Sequence, residues 1–190
     1  ASAVSAAAQG AGLHVVVNNA GMVSVTTPDP GAEAGDLATM PVQAWHDALA
    51  RNLDTAFLVT RAAVPHLRAA GWGRIVMVAS VTGPVMAMRQ EPAYAAAKAG
   101  MVGLMRALAV DLAPAGITAN AVAPGWIGTG SQLPHEVREG QHTPVGRSGR
   151  ADEVAGAVAW FASPEASYCT GQVLVIDGGS AVSEERALPR

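Results

Sequence analysis

"GRIVMVAS", residues 73–80, opens on a glycine, runs through a short β-branched apolar stretch and closes on alanine and serine. An unbroken apolar run of this length, bounded by turn residues, is the pattern of a strand covered on both faces. Three further stretches have the same form: "LHVVVNNAG" (13–21), "ITANAVAPG" (117–125) and "GQVLVIDGG" (171–179). Between them lie helical stretches at 41–71, 93–116 and 150–163, with Gly71 and Gly116 placed as helix stops. Strand and helix in alternation predict an α/β domain, a parallel sheet between two helical layers.

The bulk composition narrows the function classes. A chain of 190 residues, half of them hydrophobic and 14% charged, fits one domain over 1–190 with a sizeable core. A net charge of -3 leaves no basic stripe for nucleic acid, and no uninterrupted apolar run approaches the roughly 18 residues of a membrane span. One cysteine, Cys169, excludes an internal disulfide and fits a cytoplasmic setting; its neighbours Tyr168 and Thr170 supply no activating base. The opening "ASAVSAAAQGAG" lacks the charged and apolar regions of a signal peptide and reads as a helix already under way. "TTPDPGAEAGD" (26–36) is a surface loop by its proline, glycine and acid content. The five histidines show no metal-ligand spacing, so no metal site is expected.

Ligands of an open parallel sheet bind where the strands' carboxyl ends meet the following loops. Here those ends read "NNAG" (18–21), "AS" (79–80), "APG" (123–125) and "DGG" (177–179). Beyond Ser80 comes "EPAYAAAKAG" (91–100), which sets Tyr94 and Lys98 four residues apart. On a helix that spacing puts a phenol and an ammonium on one face, with Cβ atoms about 6 Å apart. The alanines between them leave room for a ligand to approach. A phenol whose pKa is near 10 serves acid–base chemistry at neutral pH only if its anion is stabilised, by about 4 kcal/mol to reach 7. Lys98 and a neighbouring positive charge are the expected source.

Taken singly, each feature has a plainer explanation: a turn, a cap, a chance pair. In order they are more specific. Asn18, Asn19, Ala20 and Gly21, then Asn52 in "ARNLDTAF", Ser80, Tyr94 and Lys98, then Pro124, Gly125, Ile127 and Thr129 resemble the short-chain dehydrogenase/reductase family over essentially the whole chain. "YAAAKAGMVGLMRALAVDLAPAGITANAVAPGWIGT", "VGRSGRADEVAGAVAWFAS" and "TGQVLVIDGG" are closest to its 3-oxoacyl-(acyl carrier protein) reductase branch and that branch's sugar, alcohol and steroid dehydrogenase relatives. The resemblance implies a Rossmann-like doubly wound sheet and NAD or NADP as cofactor. It also implies ketone–alcohol interconversion on a small-molecule substrate, in a homodimer or homotetramer. It assigns Tyr94 as general acid/base, Lys98 to the nicotinamide ribose, Ser80 to the substrate oxygen, and Asn52 to a water linking Lys98 to solvent. Asn18–Gly21 would lie along the adenosine and ribose side, and Pro124, Gly125, Ile127 and Thr129 at the nicotinamide end. Asn120 is expected to be structural, Trp126 to touch substrate, and Met86 and Met88 either to shape its pocket or simply to pack. The tryptophans at 45, 72 and 160 are expected as core or interface anchors.

One part of the family pattern is not among these 190 residues. The first strand and its glycine-rich T-G-x-x-x-G-x-G turn, which seats the pyrophosphate at a helix N-terminus, have no counterpart, and neither does the residue that separates NAD from NADP. In the family strand order 3-2-1-4-5-6-7, the strand containing "HVVV" would then be an edge. The alternative reading is therefore a homologue that acts only through oligomer assembly, using the helices at 41–71 and 93–116. The segment after Thr129 is short for a substrate lid.

Overall fold

The computed structural model describes residues 2–9, 12–22, 35–130 and 132–184. Four strands, β1 (Val15–Asn18), β2 (Gly73–Val78), β3 (Ile117–Pro124) and β6 (Val173–Ile176), form one parallel sheet in the order β1-β2-β3-β6. A two-stranded ladder of β4 (Ile127–Gly128) and β5 (Gly149–Arg150) stands beside it. The helices are α1 (Ser2–Ala7), α2 (Val42–Leu49), α3 (Thr55–Ala70), α4 (Pro92–Leu112), α5 (Pro134–Gln141) and α6 (Ala151–Phe161). The three-layer parallel arrangement expected from the apolar runs is present. Most of the 26–36 loop lies outside the described residues.

Side-chain alternation along the central strands splits the core in two. Ile75 and Met77 of β2 with Ala119 and Ala121 of β3 face α3 and α4, packing on Leu67, Met101 and Met105. Val76 and Val122 point the other way, onto Val154 and Phe161 of α6. β2 and β3 are buried almost throughout, as their sequences required. β1 is the edge and is buried on one side alone. Val16 joins the α3 side, while Val15 and Val17 remain 37% and 44% exposed on the opposite side, where α6 packs on β2 and β3.

The stretch read as one helix over 41–71 is interrupted. Between α2 and α3, residues Ala50–Asp54 form a π-helical turn, and Asn52 is in it. The Asn52 side chain explains the break: its Nδ2 donates to the Ala48 carbonyl at 3.1 Å, the acceptor that the residue's own N–H would take in a regular α-helix. Gly71 and Gly116 do end helical segments, in left-handed conformations with φ of 67° and 73°. The 93–116 helix finishes as a 3-10 turn at Ala113–Ala115. Its apolar length, 92–115, is sufficient to cross a membrane by composition, but Ala93, Ala97, Lys98, Met101 and Met105 are buried in this core. A short helix not foreseen from sequence, α5, follows Thr129.

Candidate active site

Each side chain at the rim is delivered by a different element. Ser80 follows β2, where the strand leaves the sheet, and its Oγ accepts from the Thr82 amide at 3.1 Å. Tyr94 and Lys98 come from the first turns of α4. The Ser80 hydroxyl lies close enough to the Tyr94 phenol to lower its pKa. Lys98 Nζ lies 5.6 Å from the Tyr94 ring centroid and donates to the Val78 carbonyl at 3.0 Å. The three residues expected to form the reactive centre are therefore together, at the carboxyl ends of the strands.

Asn52 completes the group from behind. It is fully buried; its Nδ2 donates to the carbonyls of Met22 and Ala48, at 2.9 and 3.1 Å, and its Oδ1 has no protein partner. Gly21 is the wall between Asn52 and Lys98. A Cβ built there would come 2.7 Å from Asn52 Oδ1 and 3.2 Å from Lys98 Nζ, so any larger residue would push one of them away.

The electrostatics differ from the sequence expectation. The phenol of Tyr94 is raised above its ordinary value, first by burial and further by the charges of Glu91 and Glu136, against the opposing effect of the nearby Ser80 hydroxyl. Lys98 does not lower it here. The ammonium lies over the ring, donates to the Val78 carbonyl, and is itself lowered to about 8 by burial.

The other expected residues divide into two kinds. Asn19, Ala20 and Gly21 are exposed at the end of β1. Asn18 turns inward, its Nδ2 donating to Thr60 Oγ1 at 2.9 Å and to Met77 Sδ at 3.2 Å, so its side chain ties β1 to α3 and the core. Pro124 ends β3 and its carbonyl accepts from Val81 N at 3.0 Å; Gly125 N donates to the Ile176 carbonyl at 2.9 Å, closing β3 against β6. Ile127 lies in β4, and Thr129 N donates back to the Ile127 carbonyl at 3.0 Å, on the exposed rim. Asn120 is structural, as expected: it donates to the Cys169 carbonyl and accepts from Gln172 N. Trp126 pairs its carbonyl with Gly149 N at the β4–β5 ladder. Met86 is used in the turn after β2, its carbonyl accepting from Gly83 N, while Met88 lines a surface pocket.

Sequence reasoning missed Glu91 and Glu136. Glu91 could have been found, since it stands three residues before Tyr94 and so in the same opening turn. Glu136 had no such signal, because only the packing of α5 brings it within electrostatic reach.

A nicotinamide cofactor can be tested against these residues. Lys98 has three N–H donors and spends one on Val78. Asn52 Oδ1 is an unspent acceptor in the same recess, and the adjoining end of β1 exposes small residues. Donor, acceptor and open backbone fit a ribose with its ring base.

Comparison with known proteins agrees. Residues 1–181 match the family profile described as enoyl-(acyl carrier protein) reductase. Nodulation protein G of Azospirillum brasilense is 40% identical over 171 residues, covering 88% of this chain and 65% of that protein. Acetoin dehydrogenase from Enterobacter cloacae superposes with a TM-score of 0.84 at 33% identity, over 100% of this chain and 72% of its own. A 3-oxoacyl-[acyl-carrier protein] reductase with bound NAD from Brucella melitensis gives 0.78 at 33% identity, over 89% of this chain and 62% of its own. The chain thus spans about two thirds of the length of the curated relatives it matches. By profile, sequence and superposition together, the chain belongs to the short-chain dehydrogenase/reductase family.

Proposed function

We propose that this chain carries the proton-transfer half of an NAD(P)-dependent oxidoreductase that interconverts a ketone and a secondary alcohol. The observation that carries the reading is Lys98 beneath the Tyr94 ring with the Ser80 hydroxyl close enough to act on the phenol, at the carboxyl ends of a parallel sheet. The bound cofactor supplies or accepts the hydride at the carbonyl carbon. Everything else falls to this chain. Tyr94 gives its hydroxyl proton to the carbonyl oxygen during reduction and recovers it during oxidation. Ser80 holds that oxygen by hydrogen bonding. Lys98 holds the ribose with the N–H donors it does not spend on Val78. Asn52, with its unspent Oδ1, holds a water through which the proton is replaced.

A phenol raised by burial is a reluctant donor of its proton. The positive ring of an oxidised nicotinamide near the hydroxyl would lower it, so the cofactor is part of the acid–base machinery as well as the redox partner. Asn19, Ala20, Gly21, Pro124, Gly125, Ile127 and Thr129 are assigned to its ribose and nicotinamide contacts. Asn18 contributes by fixing β1. The substrate is a small carbonyl compound; the acetoin dehydrogenase and 3-oxoacyl reductase among its structural neighbours support that class.

Assembly belongs to the same reading. Phe57, Leu58 and Val59 of α3 and Val110 of α4 are exposed apolar side chains, and Gly103 leaves open space on α4. These faces suit a two-fold homo-oligomer. The test of function is reduction of acetoin by NADH or NADPH, comparing the native sequence with Tyr94→Phe in protein supplemented with the portion of the Brucella reductase outside the match. Turnover lost in the variant with cofactor binding retained supports the reading. Equal turnover sinks it, and a complete lack of cofactor binding favours the assembly-only alternative.

A further inference from the structure

The surroundings of Tyr94 carry more negative charge than proton transfer requires. Between residues 35–37 and 87–92 the surface folds into a pocket of about 280 Å³, lined by Leu37, Met88, Pro92 and Ala95 together with the carboxylates Asp36 and Glu91. Ala95 follows Tyr94, so the pocket abuts the first turn of α4. Among the described residues, no lysine, arginine or histidine lines it. The Asp36 carboxylate is turned to its own loop, accepting from Ala38 N at 2.8 Å. Glu91 is the acid on the Tyr94 side.

The backbone that delivers Glu91 is unusual. Gln90, just before it, has φ of 63°, the one positive value at a non-glycine residue among the described residues. Its carbonyl accepts from Gly35 N at 2.8 Å, which ties the two walls of the pocket together. Left-handed glutamine is unfavourable, and such a conformation persists where surrounding contacts hold it. From α5, Glu136 adds a second carboxylate, held by Leu133 N at 2.7 Å. The charges of both reach the Tyr94 phenol. The cation recorded over the ring among the described residues is Lys98, only 3% exposed and turned to the Val78 carbonyl.

We propose that Glu91 sets the charge selectivity of this cleft: carbonyl or alcohol substrates that are neutral or cationic beside the reacting carbon are accepted, and those bearing a carboxylate there are rejected. The inference rests on the reading of Tyr94 as the group that meets the substrate oxygen. A substrate carboxylate a few ångströms from Glu91 in a partly buried pocket is repelled, which disfavours it by roughly 10- to 100-fold against a neutral analogue of the same size.

Acetoin and acetoacetate make that comparison: both are four-carbon ketones, one neutral and one anionic. Their binding to the full 190-residue chain is measured by ligand-observed NMR, for the native sequence, Glu91→Gln and Glu91→Asp. Native protein is expected to favour acetoin by about tenfold or more, Glu91→Gln to narrow that ratio about tenfold, and Glu91→Asp to restore it. A second readout needs no ligand. The chain has two tyrosines, and Tyr168 is fully exposed, so phenolate absorbance resolves Tyr94, with Tyr94→Phe as the assignment control. Removing the Glu91 charge should lower the Tyr94 titration. Equal binding of the two ketones by native protein, or an unchanged ratio in Glu91→Gln, overturns the proposal. If neither ketone binds measurably, a Glu91→Gln phenol titration superimposed on the native one overturns it, and a lowered one supports it. Failure of the hydride-transfer reading looks different: no reduction of either ketone in the supplemented protein, whatever the binding ratio.

Discussion

Lys98 is only 3% exposed beneath the Tyr94 ring, and burial takes its pKa from 10.5 to about 8. At neutral pH the lysine is charged in both folded and unfolded chains, so the folded state bears the desolvation cost in full, on the order of 3 kcal/mol. As pH rises from about 8 towards 10.5, the unfolded chain binds the extra proton and that cost is relieved. Lys98→Met should therefore raise thermal stability at pH 7, by about 1–3 kcal/mol, and flatten the native gain in stability through that alkaline window. Thermal melts across pH check both. Gly21 makes the opposite case. With Asn52 Oδ1 2.7 Å from where a Cβ would stand, Gly21→Ala should cost about 1–3 kcal/mol and move the Lys98 titration, which lysine-selective NMR would follow. The spacing of Tyr94 and Lys98 and the position of Ser80 were legible in the sequence because helix periodicity and strand ends fix them. The direction of the Tyr94 shift was not, because it depends first on how deeply the fold buries the phenol, and then on Glu136, which is distant in sequence, and on the lysine pointing to Val78.

Among the elements, strands were the most readable. β2 and β3 are covered on both faces, and nothing but a continuous apolar run satisfies that environment. The interruption between α2 and α3 was hidden, since "ARNLDTAF" continues the helical pattern on either side. It arises because one asparagine takes the Ala48 carbonyl for its side chain while being held by Met22. π-Helical turns recur at functional sites, which agrees with the role proposed for Asn52. Asn52→Ala should release the Ala48 carbonyl, let the turn relax towards regular helix, and destabilise the domain by about 1–2 kcal/mol. Faster hydrogen exchange is then expected at 48–55 and at Met22, and exchange confined to either segment alone would contradict the linkage. α6 illustrates a readable end: Asp152 and Glu153 stand in its first turn, where the helix dipole favours carboxylates, and Glu153 accepts from the Arg150 amide at 2.7 Å. At its other end the unforeseen partner is Arg74, whose buried guanidinium stacks 4.1 Å over Trp72 and donates to the Ser163 carbonyl.

Across the described residues as a whole, β1 is the outermost strand of the sheet, with Val15 and Val17 exposed on it. Open edges of this kind promote association, and a charge on them opposes it. Val17→Lys should reduce self-association of the 190-residue chain, read by light scattering, without altering the Tyr94 titration. The edge position was foreseeable from the order of the motifs, whereas the face left bare was not, because it depends on how far α6 reaches. The central claim is that Tyr94, Ser80 and Lys98 perform the proton transfer that accompanies hydride exchange at a carbonyl. Its most direct test is single-turnover reduction of acetoin by NADH or NADPH in the supplemented protein, native against Tyr94→Phe. The account predicts that the variant binds cofactor as the native protein does and loses turnover by about 100-fold or more. A variant that reduces acetoin at the native rate would contradict it.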